Sequence, residues 1–268
     1  MDAVNPNRLR WGALAWLLTL QFFVVEAIAQ SRYKGAYSRT DDVISALGAR
    51  DSAAHQLMNA SFVVQAALIL AGTLLLRPVL LRGAAQVAPV LLGASAVGVL
   101  LVGVFPTDGN SLVHAIGAVA HLVGGGLGLI ALAYAVRPRS EVLGTTLALL
   151  GLVGTAATVF FLTGVTEYLG EGGTERVAAY PIPLGLALAG MMLWRIARPG
   201  SADRPDRRAE RDAARAEQAE RARERDAALE AAARRDGGTT APGKDFPAAQ
   251  GDPELDDPWA SPTRRPRD

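Results

Sequence analysis

The sequence contains no cysteine. Disulfides, thiolate metal sites and cysteine nucleophiles are therefore excluded, and thiol usage carries no indication of the redox compartment. Charged residues are sparse up to residue 198, and large apolar residues are sparse beyond it. The net charge of +1 averages these two unlike regions and describes neither of them. We expect lipid to surround the first region and water to surround the second.

Long apolar runs dominate the first region. A bilayer core about 30 Å thick requires about 20 apolar residues in a helix, because no backbone amide facing lipid can remain unpaired. Pro78, Pro106 and Pro138 follow three of the runs, at positions where proline ends a helix. The sequence predicts an all-α fold, a polytopic bundle of six transmembrane helices within residues 1–198, with spans near residues 11–30, 57–76, 87–105, 112–136, 142–165 and 178–197.

Arginine marks one side of the predicted bundle. Pairs of arginines flank the spans on that side, at positions 8 and 10, 77 and 82, 137 and 139, and 195 and 198. Short segments rich in Lys and Arg stay in the cytoplasm during insertion, so both termini are predicted to be cytoplasmic. The first connection on the outer side departs from this pattern, because it carries Arg32, Lys34, Arg39 and Arg50.

The first apolar run also resembles a cleavable signal peptide. Residues 1–29 combine two arginines, an apolar stretch and the Ala27-Ile28-Ala29 triplet. The run is long for a signal sequence and contains Gln21 and Glu26. A retained helix with a polar inner face is therefore the favoured interpretation.

Residues 199–268 form a separate charged tail. Their Arg, Asp, Glu, Ala and Pro content cannot bury enough apolar surface to offset ordering entropy, so most of the tail is predicted to be disordered. Residues 206–235 lack Pro and Gly and favour a helix. That helix is expected to be solvated, and a helix that binds a protein partner is the alternative. Its arginines are nearly balanced by acids, which argues against nucleic-acid binding.

Three ionisable residues lie inside predicted spans, namely Glu26, His114 and His121. Such groups are costly in lipid and usually face the bundle interior, where they are functional candidates. The two histidines are seven residues apart and share one helix face with a stripe of small residues, at positions 117, 118, 124, 125 and 128. Small residues allow helices to approach closely. This face is therefore predicted to pack against other helices, with hydrogen-bonded structural histidines favoured over catalytic ones.

The outer connections add further polar candidates. Asp108 precedes His114, and one hypothesis is that its carboxylate orients that imidazole. The alternative is that Asp108 or Asn110 caps the helix that follows. Residues 40–48 predict a short capped helix over the outer mouth of the bundle. Because His55 begins the second span on the same side, a divalent-cation site with ligands from Asp108, His114 and His55 is a further hypothesis, although no spacing here is diagnostic.

Several of these motifs together resemble the bacterial membrane proteins of domain-of-unknown-function family 998. The resemblance covers residues 11–198 and rests on Tyr37-Ser38, the residues 44–48, the residues 103–108 and His114. It implies a six-helix domain in the bacterial plasma membrane without an established activity. It also implies that Ser45, Asp108 and His114 are positions of interest.

Three functions remain open on the sequence alone, which assigns no cofactor. The favoured one is a binding, sensing or structural component of the membrane. The second is a membrane-embedded hydrolase of a lipid-like substrate, in which Asp108, His114, His121 and Glu26 hold a metal ion or relay a proton. The third is a small proton-coupled transporter that uses Glu26 and His121, and it is weakened because the sequence shows no repeated halves or paired broken helices.

Overall fold

The computed structural model describes residues 5–80, 84–196 and 203–236, and most of these residues are helical. Two compact units divide the chain, residues 1–204 and residues 205–268. The helices of the first unit are α1 (Pro6–Leu18), α2 (Gln21–Ser31), α3 (His55–Leu76), α4 (Ala84–Val104), α5 (Ser111–Val136), α6 (Glu141–Thr163), α7 (Gly170–Ala179) and α8 (Pro181–Ile196). Short 3-10 helices lie at Ile44–Gly48 and Arg77–Val79.

Six helical segments are long and apolar enough to cross a membrane, namely Pro6–Ser31, His55–Val79, Gln86–Val104, Ser111–Val136, Glu141–Thr163 and Gly170–Arg195. Large apolar side chains on these segments face outward, and Val90, Leu112 and Val142 each expose more than two thirds of their surface. A water-soluble protein rarely exposes apolar surface on this scale. The predicted all-α, multi-pass membrane fold is confirmed.

Two of the six spans are broken into half-helices. The first is interrupted at Thr19 and Leu20, between α1 and α2, and the last is interrupted at Tyr180, between α7 and α8. The Thr19 hydroxyl donates to the carbonyl oxygens of Trp16 at 2.6 Å and Pro183 at 3.3 Å. The two breaks therefore lie side by side, where side-chain groups supply hydrogen bonds at the interrupted helices.

The last span also starts earlier than the sequence suggested. Residues 166–177 were expected to form an outer connection because they contain three acids and an arginine. The structure instead begins α7 at Gly170, and Glu175 and Arg176 are buried within it. The expectation was wrong because Arg176 finds its hydrogen-bond acceptors inside the bundle, and Glu175 accepts a hydrogen bond from the Ile44 amide.

Helix α5 packs in the middle of the bundle, and its stripe of small residues makes close contacts. A Cβ atom on Gly117 would lie 2.8 Å from the Gly98 carbonyl oxygen of α4, and one on Gly124 would lie 2.8 Å from the Leu91 carbonyl oxygen. On another side, a Cβ on Gly126 would lie 2.6 Å from the Thr155 hydroxyl of α6. The predicted packing face is confirmed.

Local capping positions the connections of the bundle. The Asn110 side chain accepts a hydrogen bond from the Val113 amide and begins α5, as one of the two predicted caps. Residues 44–48 form a 3-10 helix whose Ile44 and Leu47 are buried.

We call the end of the bundle that carries residues 32–54, 105–110 and 164–169 the distal end.

The second unit contains α9 (Asp203–Asp236), a charged helix whose described side chains are exposed. Ion pairs between residues one turn apart, such as Arg221 and Glu217, lie on its surface. A partly helical tail is thus confirmed. The disorder predicted for residues 237–268 concerns a part of the chain that lies outside the described residues.

Candidate ligand-binding site

Glu26 is the most deeply buried acid in the described part of the bundle, with 1% of its surface exposed. Its Oε1 atom lies 3.0 Å from Nε of Arg176, which is itself 5% exposed. The Tyr180 hydroxyl lies 2.9 and 2.7 Å from the two carboxylate oxygens. An ionised carboxylate is costly in the membrane interior unless it is paired and hydrogen-bonded, and here both conditions hold.

Arg176 joins three parts of the chain. Its Nη1 atom donates to the carbonyl oxygens of Arg39, Asp42 and Gly172, at 2.7 to 2.9 Å. Its Nη2 atom donates to the Tyr37 hydroxyl at 2.5 Å. Every nitrogen of the guanidinium therefore has an acceptor, as a buried arginine requires. This side chain therefore bonds the connection between α2 and α3 to α7, together with the hydrogen bond from the Gly173 amide to the Thr40 carbonyl oxygen at 2.9 Å.

Two tyrosines complete the cluster. The Tyr37 hydroxyl donates to the Val43 carbonyl at 3.1 Å, and burial raises the pKa of this phenol, so it remains protonated. Tyr180 packs edge-on against the Phe23 ring, with centroids 4.9 Å apart. Arg39, which is half exposed, donates to the Tyr180 hydroxyl at 2.6 Å. We call Glu26, Tyr37, Arg39, Arg176 and Tyr180 the ionic cluster.

Glu175 precedes Arg176 in α7 but belongs to a different environment. It is 9% exposed, and its Oε2 atom accepts a hydrogen bond from the backbone amide of Ile44, at the start of the 3-10 helix. Among the described residues, no hydrogen bond or ion pair reaches its Oε1 atom. Glu175 thus fastens the distal loop through one oxygen and leaves the other available.

A cavity of about 50 Å³ is lined in part by Glu175. Most of its wall is apolar, and polar side chains converge on it from the 3-10 helix and from α3, α5 and α7. At about 10–15 Å³ for each water-sized probe, the cavity holds roughly three to five waters or a ligand of similar heavy-atom number. The polar residues of the lining are Ser45, Gln65, His114, His121 and Glu175; the apolar ones are Phe22, Ile44, Phe62, Val99, Val102, Ala118, Leu122, Ala179 and Pro183.

Both histidines of the cavity are held by backbone carbonyls. His114 Nδ1 lies 2.8 Å from the Phe105 carbonyl oxygen, and His121 Nδ1 lies 3.0 Å from the Ser95 carbonyl oxygen. A carbonyl can only accept, so Nδ1 carries the proton in each ring and Nε2 is an acceptor when the ring is neutral. The predicted inward orientation of both imidazoles is confirmed.

A buried amide network forms another part of the wall. Gln21 of α2 donates from Nε2 to the Gln65 Oε1 at 3.2 Å, and it accepts from the Ser61 hydroxyl at 3.0 Å. These contacts fix the Gln65 carboxamide with its oxygen occupied and leave its amino group without a partner among the described residues. The predicted polar inner face of the first span is therefore directed at α3.

The predicted site residues fall into two groups. Ser45, His114 and His121 line the cavity, and Glu26 lies in the neighbouring ionic cluster. Asp108 is elsewhere: its carboxylate accepts from the Arg50 amide at 3.2 Å and lies 3.5 Å from the Arg50 side chain. The structure therefore does not bring Asp108 and His114 together, because the outer connection supplies Asp108 with a nearer cation.

The three weak metal candidates are also separate. His55 Nδ1 lies 2.9 Å from the Ser52 carbonyl oxygen at the start of α3. Over residues 5–80, 84–196 and 203–236, no group of three His, Cys, Asp or Glu side chains is arranged to hold one metal ion. The polar atoms of the cavity are thus better suited to hydrogen bonding than to metal coordination.

Sequence reasoning missed Glu175, Arg176, Tyr37 and Tyr180 as members of the site. The predicted spans place Glu175 and Arg176 in the connection before the sixth span, and Tyr180 at the start of that span. One available signal was Arg176, the lone cation among the acids of residues 166–177. Glu26 required a cation inside the membrane, and this arginine lies on the same predicted side.

Comparison with known proteins places the chain in a family. The family model described as "Protein of unknown function (DUF998)" matches residues 17–192. The chain belongs to the DUF998 family. The match includes all members of the ionic cluster and the whole lining of the cavity, so both features lie within the DUF998 domain. No curated protein and no solved structure matches the chain.

Proposed function

We propose that this DUF998 protein is a ligand-binding component of the bacterial plasma membrane, and that its ligand occupies the cavity beside Glu175. The observation that carries the proposal is the convergence of polar side chains from four separate elements on one small, mostly apolar space. Binding sites for small molecules combine apolar walls with a few placed polar groups in this way. A purely structural bundle would be expected to fill the space with side chains.

The ionic cluster supports the same function. It fastens the connection between α2 and α3 to α7, and the 3-10 helix of that connection supplies Ile44 and Ser45 to the cavity wall. A preorganised wall lowers the entropy cost of binding. The cluster therefore acts as the support of the site, and the cavity acts as its recognition surface.

The test is thermal unfolding of the purified protein in detergent with three small probes, n-propylammonium chloride, 1-propanol and sodium propionate. A ligand that binds only the folded state raises the melting temperature. We expect at least one probe to do so at millimolar concentration. Ala118→Phe, which fills the cavity, should abolish the shift, whereas Ile116→Phe on an exposed face of the same helix should retain it.

A variant that fails to fold would not answer the question, so Ala118→Val provides a smaller filling substitution. The melting temperature of each variant without probe reports whether it folds. If none of the three probes stabilises the wild-type protein, or if Ile116→Phe removes the shift as completely as Ala118→Phe, the binding function is rejected.

Transport is the second candidate, because the two adjacent spans that carry Glu26 and Arg176 are both broken. Discontinuous helices commonly form the substrate sites of secondary transporters. This supports a function that the sequence had disfavoured for want of paired broken helices. Flux of ¹⁴C-labelled propylamine into proteoliposomes under an imposed proton gradient tests it; flux that is unchanged in the Glu26→Gln/His121→Gln double variant would contradict a proton relay through these residues.

We further infer that both termini are cytoplasmic and that α9 is a solvated cytoplasmic helix, with a protein partner as the alternative. The absence of cysteine allows a direct test. A single cysteine at Tyr168, which is 92% exposed at the distal end, should react with a membrane-impermeant maleimide in intact cells. A cysteine at Ala214 in α9 should react only after lysis. The opposite labelling pattern would reverse the assigned topology.

A further inference from the structure

We propose that the ligand of the cavity is a small primary ammonium ion, and that Glu175 is the residue that recognises its charge. This inference rests on the proposed binding function and adds the chemical class of the ligand. It is carried by the charges and free acceptor atoms around the cavity.

The first observation is an imbalance of buried charge. Glu26 and Glu175 are both at least nine-tenths buried, and Arg176 is the buried cation beside them. All the guanidinium nitrogens of Arg176 are engaged with Glu26, with Tyr37 or with carbonyl oxygens. Arg176 therefore acts on Glu175 only through space, and among the described residues no cation bonds to the Glu175 carboxylate. A buried carboxylate without a bonded cation is costly, and a cation in the cavity would supply that contact.

The neighbouring cation does not make up this deficit. Arg39 is half exposed, and its Nη2 atom lies 3.7 Å from Glu26 and 2.6 Å from the Tyr180 hydroxyl. Both contacts belong to the ionic cluster. Among the described residues, Glu175 therefore receives one backbone hydrogen bond and no side-chain partner.

The second observation concerns the hydrogen-bonding character of the lining. Oε1 of Glu175 is an acceptor without a partner among the described residues, and the neutral His114 and His121 rings each present Nε2 as an acceptor because Nδ1 is bound to a carbonyl. A primary ammonium group has three N–H donors and no acceptor. An ammonium ion therefore matches the charge of Glu175 and the three free acceptor atoms, whereas the unpartnered amino group of Gln65 is a donor that this ligand leaves unmatched.

The third observation is the size of the space. A cavity of about 50 Å³ accommodates roughly three to five heavy atoms. A short alkylammonium ion fits, and its carbon chain would contact the apolar wall formed by Phe62, Val99 and Ala118. A phospholipid amine head group with its phosphate exceeds this volume, which favours a free amine over a lipid.

The experiment compares binding of n-propylammonium, 1-propanol and propionate, which share a three-carbon chain and differ in charge and donor number. Binding is measured on the purified full-length protein by isothermal titration calorimetry in detergent. We expect propylammonium to bind at least tenfold more tightly than 1-propanol, and propionate to show no binding. A preference for propanol or propionate would overturn the ammonium assignment and leave the binding function intact; no binding of any probe would reject both.

The residue assignment has its own test. Glu175→Gln keeps an acceptor for the Ile44 amide and removes the carboxylate, so we expect a 10- to 100-fold weaker affinity for propylammonium, in line with hydrogen bonds to charged groups. Binding of neutral 1-propanol should change little, which a general loss of structure would not allow. Glu171→Gln, at an exposed position on the same helix, is the matched control. Full propylammonium affinity in Glu175→Gln would overturn the role of Glu175.

Discussion

The bundle is held together by two kinds of helix contact, and the α4–α5 and α2–α7 interfaces represent them. At the first, glycines bring backbones together, as at Gly98 and Gly117, where an added Cβ would overlap the opposite chain. At the second, a buried ion pair joins Glu26 to Arg176. The first depends on shape and the second on charge and hydrogen bonding.

The difference distinguishes the helix interfaces that only support the bundle from the interface that adjoins the candidate site. Close packing of small residues is a general means of helix association in lipid, and it needs no polar group. Buried ion pairs add little net stability when compared with apolar packing, yet breaking one by removing a single partner is strongly destabilising. The ion pair between α2 and α7 therefore fixes the positions of these two helices relative to each other, next to the cavity.

The largest effect should come from breaking the ion pair on one side only. Glu26→Ala leaves Arg176 buried without its carboxylate, and we expect a loss of about 3–5 kcal/mol of folding free energy. Denaturant unfolding in mixed micelles measures it. The exposed Glu171→Ala provides the control and should change stability little.

Replacing both partners sharpens the comparison. In the double variant Glu26→Met/Arg176→Met neither member of the buried ion pair remains without the other, so stability should recover above that of Glu26→Ala. If the double variant is as unstable as the two single losses added together, the pair does not behave as a coupled unit.

A smaller loss is expected at the glycine interface. Gly98→Ala places a methyl group against the His121 amide nitrogen and the Gly117 carbonyl oxygen, which belong to rigid backbone. Overpacking of this kind costs about 1–3 kcal/mol. Gly93→Ala in the same helix has open space around its Cβ and should be neutral or slightly stabilising. Equal melting temperatures for the two variants would refute close packing as the basis of this interface.

Tyr37→Phe removes one hydrogen bond to Arg176 and should cost about 1 kcal/mol near neutral pH. Burial raises the pKa of Tyr37 above its ordinary value of 10.0, so the folded state holds this proton more tightly than the unfolded state does. The wild-type protein should therefore lose stability as the pH rises above 10, and Tyr37→Phe should lose less. Parallel pH dependence in the two proteins would contradict this.

The smallest effect is expected outside both interfaces. Asp108→Asn removes an ion pair with Arg50, whose side chain is 88% exposed, so the change should be under about 1 kcal/mol. Raising the salt concentration should reduce the difference further. A loss comparable to that of Glu26→Ala would mean that the outer connection carries as much of the stability as the ionic cluster.

The fold was largely predictable because hydropathy and helix-ending residues act locally. Pro78, Pro106 and Pro138 follow α3, α4 and α5, which end at residues 76, 104 and 136. The stripe of small residues on α5 likewise predicted its packing face from spacing alone. The break near Thr19 has no proline or glycine beside it, whereas Pro181 directly follows Tyr180 and is a local signal that the sequence interpretation did not use.

The site was only partly predictable, for a related reason. Glu26, His114 and His121 were identified because an ionisable group in an apolar run is conspicuous by itself. Arg176 was not, because its partner Glu26 is 150 residues away and only the folded chain shows that its charge is neutralised. Glu175 was missed with it, since a carboxylate beside an arginine in a short polar stretch is typical of a solvated connection.

The ion pair between Glu26 and Arg176 brings together the first and last spans of the bundle. Glu26 lies in α2 and Arg176 in α7, and Glu175, the chain neighbour of Arg176, lines the cavity. The two ends of the membrane-spanning sequence therefore meet beside the candidate site, so the site is complete only when the whole bundle has folded.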